Sequence, residues 1–462
     1  MAFLLLTLFT ASILLLKAES NTRLASQTGC VRKGGGTEGL QCSEPVPDEI
    51  VHEMPAADET ACVHPPPEAR CAATVFLYDL PAPCGDWRPK GKSTDAVFGP
   101  RIHISLGNQT NATLAVRDLQ GGQAMGKAWQ YRLWHSRCRT TCADRADLFY
   151  VPMLTAKKKY AQHRAACKAC TAAHLLDSLP HLRADTAARH FMLLSKEHYV
   201  WADCVGTWKW PEGLLAHVTR VSASPTTLPP SLRRDATYMR TEEGNSFFEA
   251  ADAHPHSLTI PFMGTVERQQ AKDEEAVQMA LSRSRTTLMS FLGSELHGDV
   301  AVRREVVRQC RKVADPAVCT ATNFTSSDML QHKLQSTFCL EPAGDSPFRK
   351  SVADSIALGC INRLTDLMTG KPHFRDWSKG RVLIDREDFV AGKVDLRAKL
   401  EAIPTSTVQA MRDVIRRKGR QFQISSSEDD ADAVAALAQS ILTLRAPDLA
   451  TPALASKSEW RT

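Results

Sequence analysis

Short, unbroken apolar runs recur along the chain and are separated by stretches of helical period. "VFLY" within residues 73–81, "LFYVP" at 148–152, "HFMLLS" at 190–195, "SLTIPF" at 257–262 and "TTLMSFLG" at 286–293 lack the alternation of a half-exposed strand. A continuous apolar run of this length, bounded by turn residues, predicts a strand buried on both faces, as in a parallel sheet. Helical patterns fill several gaps, at 165–179 and 267–281. A second series follows: helices at 300–313 and 327–337, a strand "FCLEP" at 338–342, a helix at 347–358, a strand at 381–385, and closing helices at 395–403 and 406–420. Strands alternating with helices predict an α/β, doubly wound architecture. The series divides into two halves, 73–265 and 266–425, followed by a helical and polar tail at 426–462.

The start of the chain changes the picture of where this body folds. Residues 3–16 are apolar or small throughout, shorter than the roughly 20 residues of a comfortable membrane span. Ala18-Glu19-Ser20 is an acceptable cleavage site, while Lys17 follows the run and no basic residue precedes it. Residues 1–20 therefore read as a signal peptide or a short signal anchor, and either delivers the remainder to the secretory lumen. Residues 21–72, rich in Gly, Pro and acids, show no apolar period and read as a removable Cys-containing stem.

Cysteine usage agrees with an oxidising compartment. The chain has 14 cysteines, an even number, so disulfides are expected. Cys30, Cys42, Cys62 and Cys71 cluster in the stem; Cys138 with Cys142, Cys167 with Cys170, and Cys310 with Cys319 are closely spaced. Spacing alone does not decide connectivity, but Cys167 and Cys170 favour a local disulfide over a zinc or redox site. Asn108, Asn111 and Asn323 open glycosylation sequons.

Charge excludes little. A formal +6 on 462 residues is mild, and no basic stripe interleaves with aromatics, which argues against nucleic acid. Asp430 and Asp432 are spaced as a D-x-D, but they stand before an apolar helical run and read as acids at a helix start. His254 and His256 flank a Pro and lack further ligands, so they read as loop residues. No metal and no cofactor is expected.

The most informative stretch is "STFCLEPAGDSPFRKSVADSIALGC", residues 336–360. A strand ends at Leu340, Ala343-Gly344-Asp345 turns, Ser346 is a good N-cap and Pro347 suits the first helical position. Phe348, Val352 and Ile356 make the buried stripe, and Gly359 is a natural stop. Arg349 and Lys350 then fall in the first turn, against the helix dipole. An anion between them and the free backbone N–H groups accounts for their position; a solvated Lys350/Asp354 pair is the alternative.

This stretch resembles the signature of exostosin-like glycosyltransferases, which runs roughly F-C-L-x-P-x-G-D-S, a basic pair, then an acid before Gly-Cys. "VFLYDLP", "ADLFYVP", "RHFMLLSKEH", "LTIPF", "RSRTTLMSFLG" and "RDWSKGRVLIDREDF" resemble further blocks of that family, in the same order from Val75 to Phe389. The resemblance implies a GT-B-like fold, two Rossmann-like domains facing a cleft. The first half would then be the acceptor half and the second the nucleotide-sugar half. It implies an inverting transfer from a nucleotide-sugar donor, of the UDP-sugar kind, to a glycan or glycoprotein acceptor in the Golgi lumen, without a metal. Arg349 and Lys350 would hold the diphosphate, Gly344, Asp345 and Ser346 would line the phosphate loop, and Asp354 would meet the ribose. The base that takes the acceptor proton would come from the other half: Glu197 first, with His198, Asp79 and Asp147 as the other candidates.

The chain departs from the family pattern at three places. Lys196 replaces a His, "NRLTDLMTG" follows Ile361 where Pro-Val and a strand are usual, and 220–256 matches poorly. A lost or shifted strand after Cys360 would favour the alternative function, a non-catalytic GT-B-shaped glycan-binding or transferase-partner protein.

Overall fold

The computed structural model describes residues 30–32, 40–42, 62–66, 69, 71, 73–81, 84–85, 91–106, 112–117, 124–152, 169–194, 214–222, 257–260, 262–268, 271–296, 299–322, 326–342, 349–363, 379–426 and 432–445. The chain divides into two compact units, Met1–Ala56 and Ala57–Thr462. In the first, Cys30–Arg32 pairs antiparallel with Leu40–Cys42, with Cys30 opposite Cys42.

Two parallel sheets organise the second unit. The first contains β1 (Val75–Leu77), β2 (Arg139–Thr140), β3 (Leu148–Val151), β4 (His190–Leu194), β5 (Thr219–Ser222) and β6 (Ser257–Thr259), in the order β6-β5-β4-β3-β1-β2. The second contains β7 (Thr287–Leu292), β8 (Cys319–Thr322), β9 (Ser336–Leu340), β10 (Ile361–Arg363) and β11 (Arg381–Val382), in the order β8-β7-β9-β10-β11. All neighbours are parallel. Both sheets are therefore doubly wound, and each reverses its winding at one place: between β1 and β3, and between β7 and β9. In open parallel sheets such a switch point leaves a crevice at the carboxyl ends of the two strands, where ligands bind. This is the two-Rossmann, GT-B-like architecture expected from the strand–helix alternation and the family resemblance.

The continuous apolar runs form strands for the expected reason. Every residue of β3 is buried, as a strand covered on both faces requires. Elements without a clean pattern escape sequence reading. Helix α1 (Ala124–Trp134) buries Ala128, Trp129, Tyr131 and Leu133 together with Gln130 and Arg132, so it has no polar face to betray its period. Strand β8, Cys-Thr-Ala-Thr, has no apolar run at all. The antiparallel hairpin Arg101–Ser105 with Thr113–Arg117 is likewise absent from the sequence reading.

Helix α2 (Ala271–Ser282) opens the second half, and helix α3 (Val300–Val313) matches its sequence bounds. Helix α4 (Ser326–Gln335) stops earlier than expected, because Ser336 already pairs with Thr287 in the sheet. The strand expected at 381–385 is only β11, since its last three residues lead into the helix Arg386–Val390, capped by Asp385. Helices Leu396–Glu401 and Thr405–Lys418 close the second half.

A strap, residues 262–268, carries the chain from the first half into the second. The hairpin embraces it: Arg117 N donates to the Thr265 carbonyl (2.7 Å), and Glu267 N donates to that of Ala115 (2.9 Å). Arg117 also pairs with Glu267 (2.6 Å), and Arg101 pairs with Asp273 of α2 (2.6 Å). The tail returns as a helix, Ala433–Arg445, and Asp432 caps it by accepting from Val434 N and Ala435 N. The same carboxylate receives Arg132 of α1 at 3.2 Å. Asp432 is thus a capping residue, as read from sequence; Asp430 lies outside the described residues.

Disulfides correct two expectations. Cys138 and Cys142 do not form a local unit; they bind Cys71 and Cys62 of the expected stem. Cys170 binds Cys84, not Cys167. Only Cys310–Cys319 joins close neighbours in sequence among the described bonds. The stem from Cys62 onward is therefore stitched to the body, and Val63 also bonds Thr140 and Thr141. Periodicity could not reveal this, because the attachment is covalent and polar.

Candidate active site

The carboxyl end of β9 leads through Glu341 and Pro342 to residues 343–348, which lie outside the described residues. The chain resumes at Arg349 and forms helix α5 (Lys350–Ala357). Arg349 is the N-cap, with extended backbone and no side-chain capping bond. The helix therefore starts three residues later than the sequence suggested, and Ser346 is not its N-cap. The interior is as expected: Val352 and Ile356 are fully buried, and Gly359 ends the helix at φ 72°. Any side chain at Gly359 would collide with Leu281 of α2, where a Cβ comes within 2.9 Å of its Cδ2.

Strand β10 follows at once. Ile361 pairs with Phe338, and Asn362, fully buried, donates to the Val352 carbonyl (3.2 Å). Where a lost or shifted strand was expected after Cys360, a strand is present at Ile361–Arg363, paired with β9. Backbone pairing and one buried apolar residue suffice for it; the Pro-Val that usually follows is not required. The Cys339–Cys360 disulfide clamps β9 to the start of β10, so α5 lies inside a covalent ring of sequence separation 21.

At the head of α5 four charged groups meet. Glu341 is buried between two cations. Its Oε2 accepts from Arg349 Nη2 (3.0 Å), which also donates to the Pro342 carbonyl (2.7 Å). Its Oε1 accepts from Lys333 Nζ of α4 (2.6 Å) and from the hydroxyls of Ser351 (2.9 Å) and Ser355 (2.8 Å). Lys333 is 1% exposed and further bonds the Ser351 carbonyl (2.7 Å) and the Ser355 hydroxyl. Burial alone would raise the Glu341 pKa, but Lys333 and Arg349 outweigh it and hold the carboxyl below its ordinary range. Arg303 of α3 completes the edge: it donates to the Ser294 carbonyl (2.6 Å), just past β7, and reaches toward that of Pro342 (3.4 Å). Two guanidinium groups thus converge on Pro342, at the switch point of the second sheet.

Asp354, one turn into α5, faces the other way. It is 1% exposed, and its Oδ1 accepts both the backbone N–H and the hydroxyl of Thr265 on the strap. Burial raises its pKa, and attraction from Lys350 and Lys333 together with the Thr265 bonds offsets this only in part. Gly264 permits the close approach, since a Cβ there would stand 3.0 Å from Asp354 Oδ1.

Of the residues singled out in the sequence, the structure brings Arg349, Lys350 and Asp354 together on one short helix. Gly344, Asp345, Ser346, Glu197, His198, Asn108, Asn111 and Asn323 lie outside the described residues. Asp147 sits at the amino edge of the first sheet, where its Oδ2 accepts from the Thr74 N–H (2.7 Å) and hydroxyl (2.8 Å). It is a strand-fixing residue, remote from the carboxyl edge. Asp79 follows β1 at the first switch point and is exposed. Sequence reading missed Lys333, Glu341 and Arg303. Lys333 stands three residues after the buried Leu330, on the inward face of α4, which was the available signal. Among the described residues no cluster of His, Cys, Asp and Glu could hold a metal ion.

Two doubly wound sheets, the second with a basic, helix-headed switch point, make a GT-B-like fold. Residues 73–361, more than half of the chain, match the exostosin GT47 domain, and the chain belongs to that family. It is 28% identical over 207 residues to the probable xyloglucan galactosyltransferase GT19 of Arabidopsis thaliana, covering 39% of this chain and 45% of that protein. It is 31% identical over 147 residues to xyloglucan-specific galacturonosyltransferase 1 of the same plant, covering 29% and 22%. The aligned part thus spans less than half of either relative. Among solved structures, S. aureus TarM aligns at 10% identity with TM-score 0.29, covering 57% of this chain and 56% of that one. A UDP-forming trehalose-phosphate synthase from Burkholderia vietnamiensis aligns at 12% with TM-score 0.32, covering 74% and 90%. Likenesses of this size add nothing to the family assignment.

Proposed function

We propose that the protein is an inverting glycosyltransferase of the Golgi lumen. It moves a sugar from a nucleoside diphosphate donor, uridine diphosphate first among them, to a glycan acceptor. The observation that carries the reading is Arg349: a guanidinium at the N-cap of a helix that opens at the switch point of a parallel sheet. There it adds charge to free backbone N–H groups, the arrangement that binds diphosphates. The relatives' names narrow the substrates we propose to a galactose- or galacturonate-type donor and a xyloglucan-like acceptor.

In this reaction an acceptor hydroxyl attacks the anomeric carbon, the bond from that carbon to the diphosphate breaks, and the diphosphate leaves with the electron pair. Arg349, Lys350 and the Gly344-Asp345-Ser346 loop stabilise the leaving charge. Glu197 takes the acceptor proton. Asp354 belongs to the strap in this reading, so contact with the ribose falls to other groups of the second half. The disulfides support a secretory location, and the apolar start, either a cleaved signal or an anchor, would supply the targeting. The non-catalytic alternative loses one support, because the strand after Cys360 is in place.

The test is transfer itself. Purified protein incubated with UDP-galactose or UDP-galacturonate and xyloglucan oligosaccharides should release uridine diphosphate and extend the acceptor, with inversion seen by NMR of the new linkage. Nucleotide binding without transfer to any glycan would favour the non-catalytic reading.

A further inference from the structure

We infer that Lys333 is a positioning residue for the donor site: by neutralising Glu341 from inside the fold, it leaves the charge of Arg349 available to an anionic ligand. The inference rests on the reading that Arg349 meets the donor diphosphate.

The geometry is a carboxylate shared by two cations of unlike exposure. Lys333 is 1% exposed and approaches Glu341 Oε1 at 2.6 Å; the Arg349 side chain is 20% exposed and approaches Oε2 at 3.0 Å. The hydroxyls of Ser351 and Ser355 add to the Lys333 side, on the same oxygen. A buried carboxylate needs one counter-ion, and its partner Lys333 cannot leave without exposing an unpaired charge to a low-dielectric interior. Lys333 therefore satisfies Glu341 permanently. Arg349, on the water side, is the surplus cation. It is held in place by Glu341 Oε2 and the Pro342 carbonyl, and its charge is not spent there. Lys333 also grips the first turn of α5 through the Ser351 carbonyl, so the same side chain sets where the helix head lies.

Removal of Lys333 changes the role of Arg349 without touching a ligand. Arg349 then becomes the sole counter-ion of a buried carboxylate and is drawn onto it. Removal of both Lys333 and Glu341 abolishes that competition and releases Arg349 again.

Calorimetric titration with uridine diphosphate and with uridine decides the matter, using the parent, Lys333→Met, Lys333→Met/Glu341→Gln, Arg349→Ala and the triple variant. Lys333→Met should weaken diphosphate binding about 10-fold, the size of one charge-assisted bond, and leave uridine binding unchanged. The double variant should return to within about threefold of the parent by the same relation. A residue that only held the fold together would leave the double variant no better than the single one. Parent-like binding by Lys333→Met, or a double variant as weak as Arg349→Ala, overturns the inference. Should Lys333→Met not fold, the double and triple variants still decide: Arg349→Ala should cost as much in the double background as in the parent. Parent-like diphosphate binding by Arg349→Ala itself is a different outcome, and it removes the donor-site reading on which the inference stands.

Discussion

Thr265 gives both its backbone N–H and its hydroxyl to one oxygen of Asp354. This joins the strap that crosses between the halves to the helix that heads the candidate donor site. The bond pair is buried, and Gly264 beside it has no room for a side chain larger than hydrogen without displacing Asp354 or Ala353. The strap is therefore held from two sides, by the hairpin and by α5.

The amide variant separates the two roles of Asp354. Asp354→Asn keeps an oxygen for Thr265 and removes a buried charge, so its stability at pH 7 should equal or exceed the parent's. Asp354→Ala leaves a buried N–H unpaired and should lose about 1–3 kcal/mol. The pH dependence has a definite sign. The folded pKa is raised above the ordinary 3.8, so the native state binds the extra proton. The contribution is full below 3.8 and falls as pH rises toward the folded value. Urea unfolding over a pH series should show Asp354→Asn gaining on the parent above about pH 4; a difference independent of pH would contradict this. Unchanged affinity of Asp354→Asn for uridine diphosphate agrees with a strap role. A tenfold loss at unchanged stability would return Asp354 to the ribose.

The stem should divide at Cys62. Deletion of residues 21–61 leaves every described disulfide of the body intact, and the body should fold with an unchanged melting temperature. Deletion of 21–72 removes Cys62 and Cys71, opening bridges of sequence separation 80 and 67. Bridges closing loops of this size contribute about 2–4 kcal/mol each, so the longer deletion should melt well below the shorter. Equal melting temperatures would show that the bridges do not hold the body.

A second pH effect belongs to the first half. His190, fully buried and stacked on Phe149, places Nδ1 at 2.9 Å from the Thr186 carbonyl and Nε2 at 2.8 Å from the Tyr78 hydroxyl. Nδ1 donates to the carbonyl; burial keeps the ring neutral, and Nε2 of the neutral ring accepts from Tyr78. Burial lowers its pKa to about 4. This contribution is complete above 6.5, the unfolded value, and is lost as pH falls toward 4, by up to roughly 3 kcal/mol. In unfolding measurements from pH 7 to 4, His190→Phe should show a shallower decline than the parent. An identical decline would assign the acid sensitivity elsewhere.

Sheet strands with continuous apolar runs were legible, because burial on both faces leaves its mark in every residue. The same logic hid α1, where every residue from Ala128 to Leu133 is buried, and β8, which pairs through its backbone with small and polar side chains. At the site, the family-like stretch pointed to Arg349 and Lys350, and the helix stripe to Val352 and Ile356. Neither revealed Glu341 or Lys333, since a buried ion pair depends on two elements meeting in space. The helix start was misplaced for a related reason: Ser346 and Pro347 have the local chemistry of a helix beginning, yet the helical turn begins at Lys350, with Arg349 held by Glu341 and Pro342.

The proposed role of Arg349, offering its charge to a diphosphate, is read out by titration with uridine diphosphate. Arg349→Ala should bind uridine diphosphate about 10- to 150-fold more weakly than the parent, the equivalent of a charge-assisted bond of about 1.5–3 kcal/mol. Uridine binding should be unchanged. Arg349→Lys should recover part of the loss, because the charge returns without the planar fork. The melting temperature should hardly move, since Glu341 keeps Lys333 as its counter-ion. If Arg349→Ala binds uridine diphosphate as tightly as the parent at unchanged melting temperature, the donor site is not at the head of this helix.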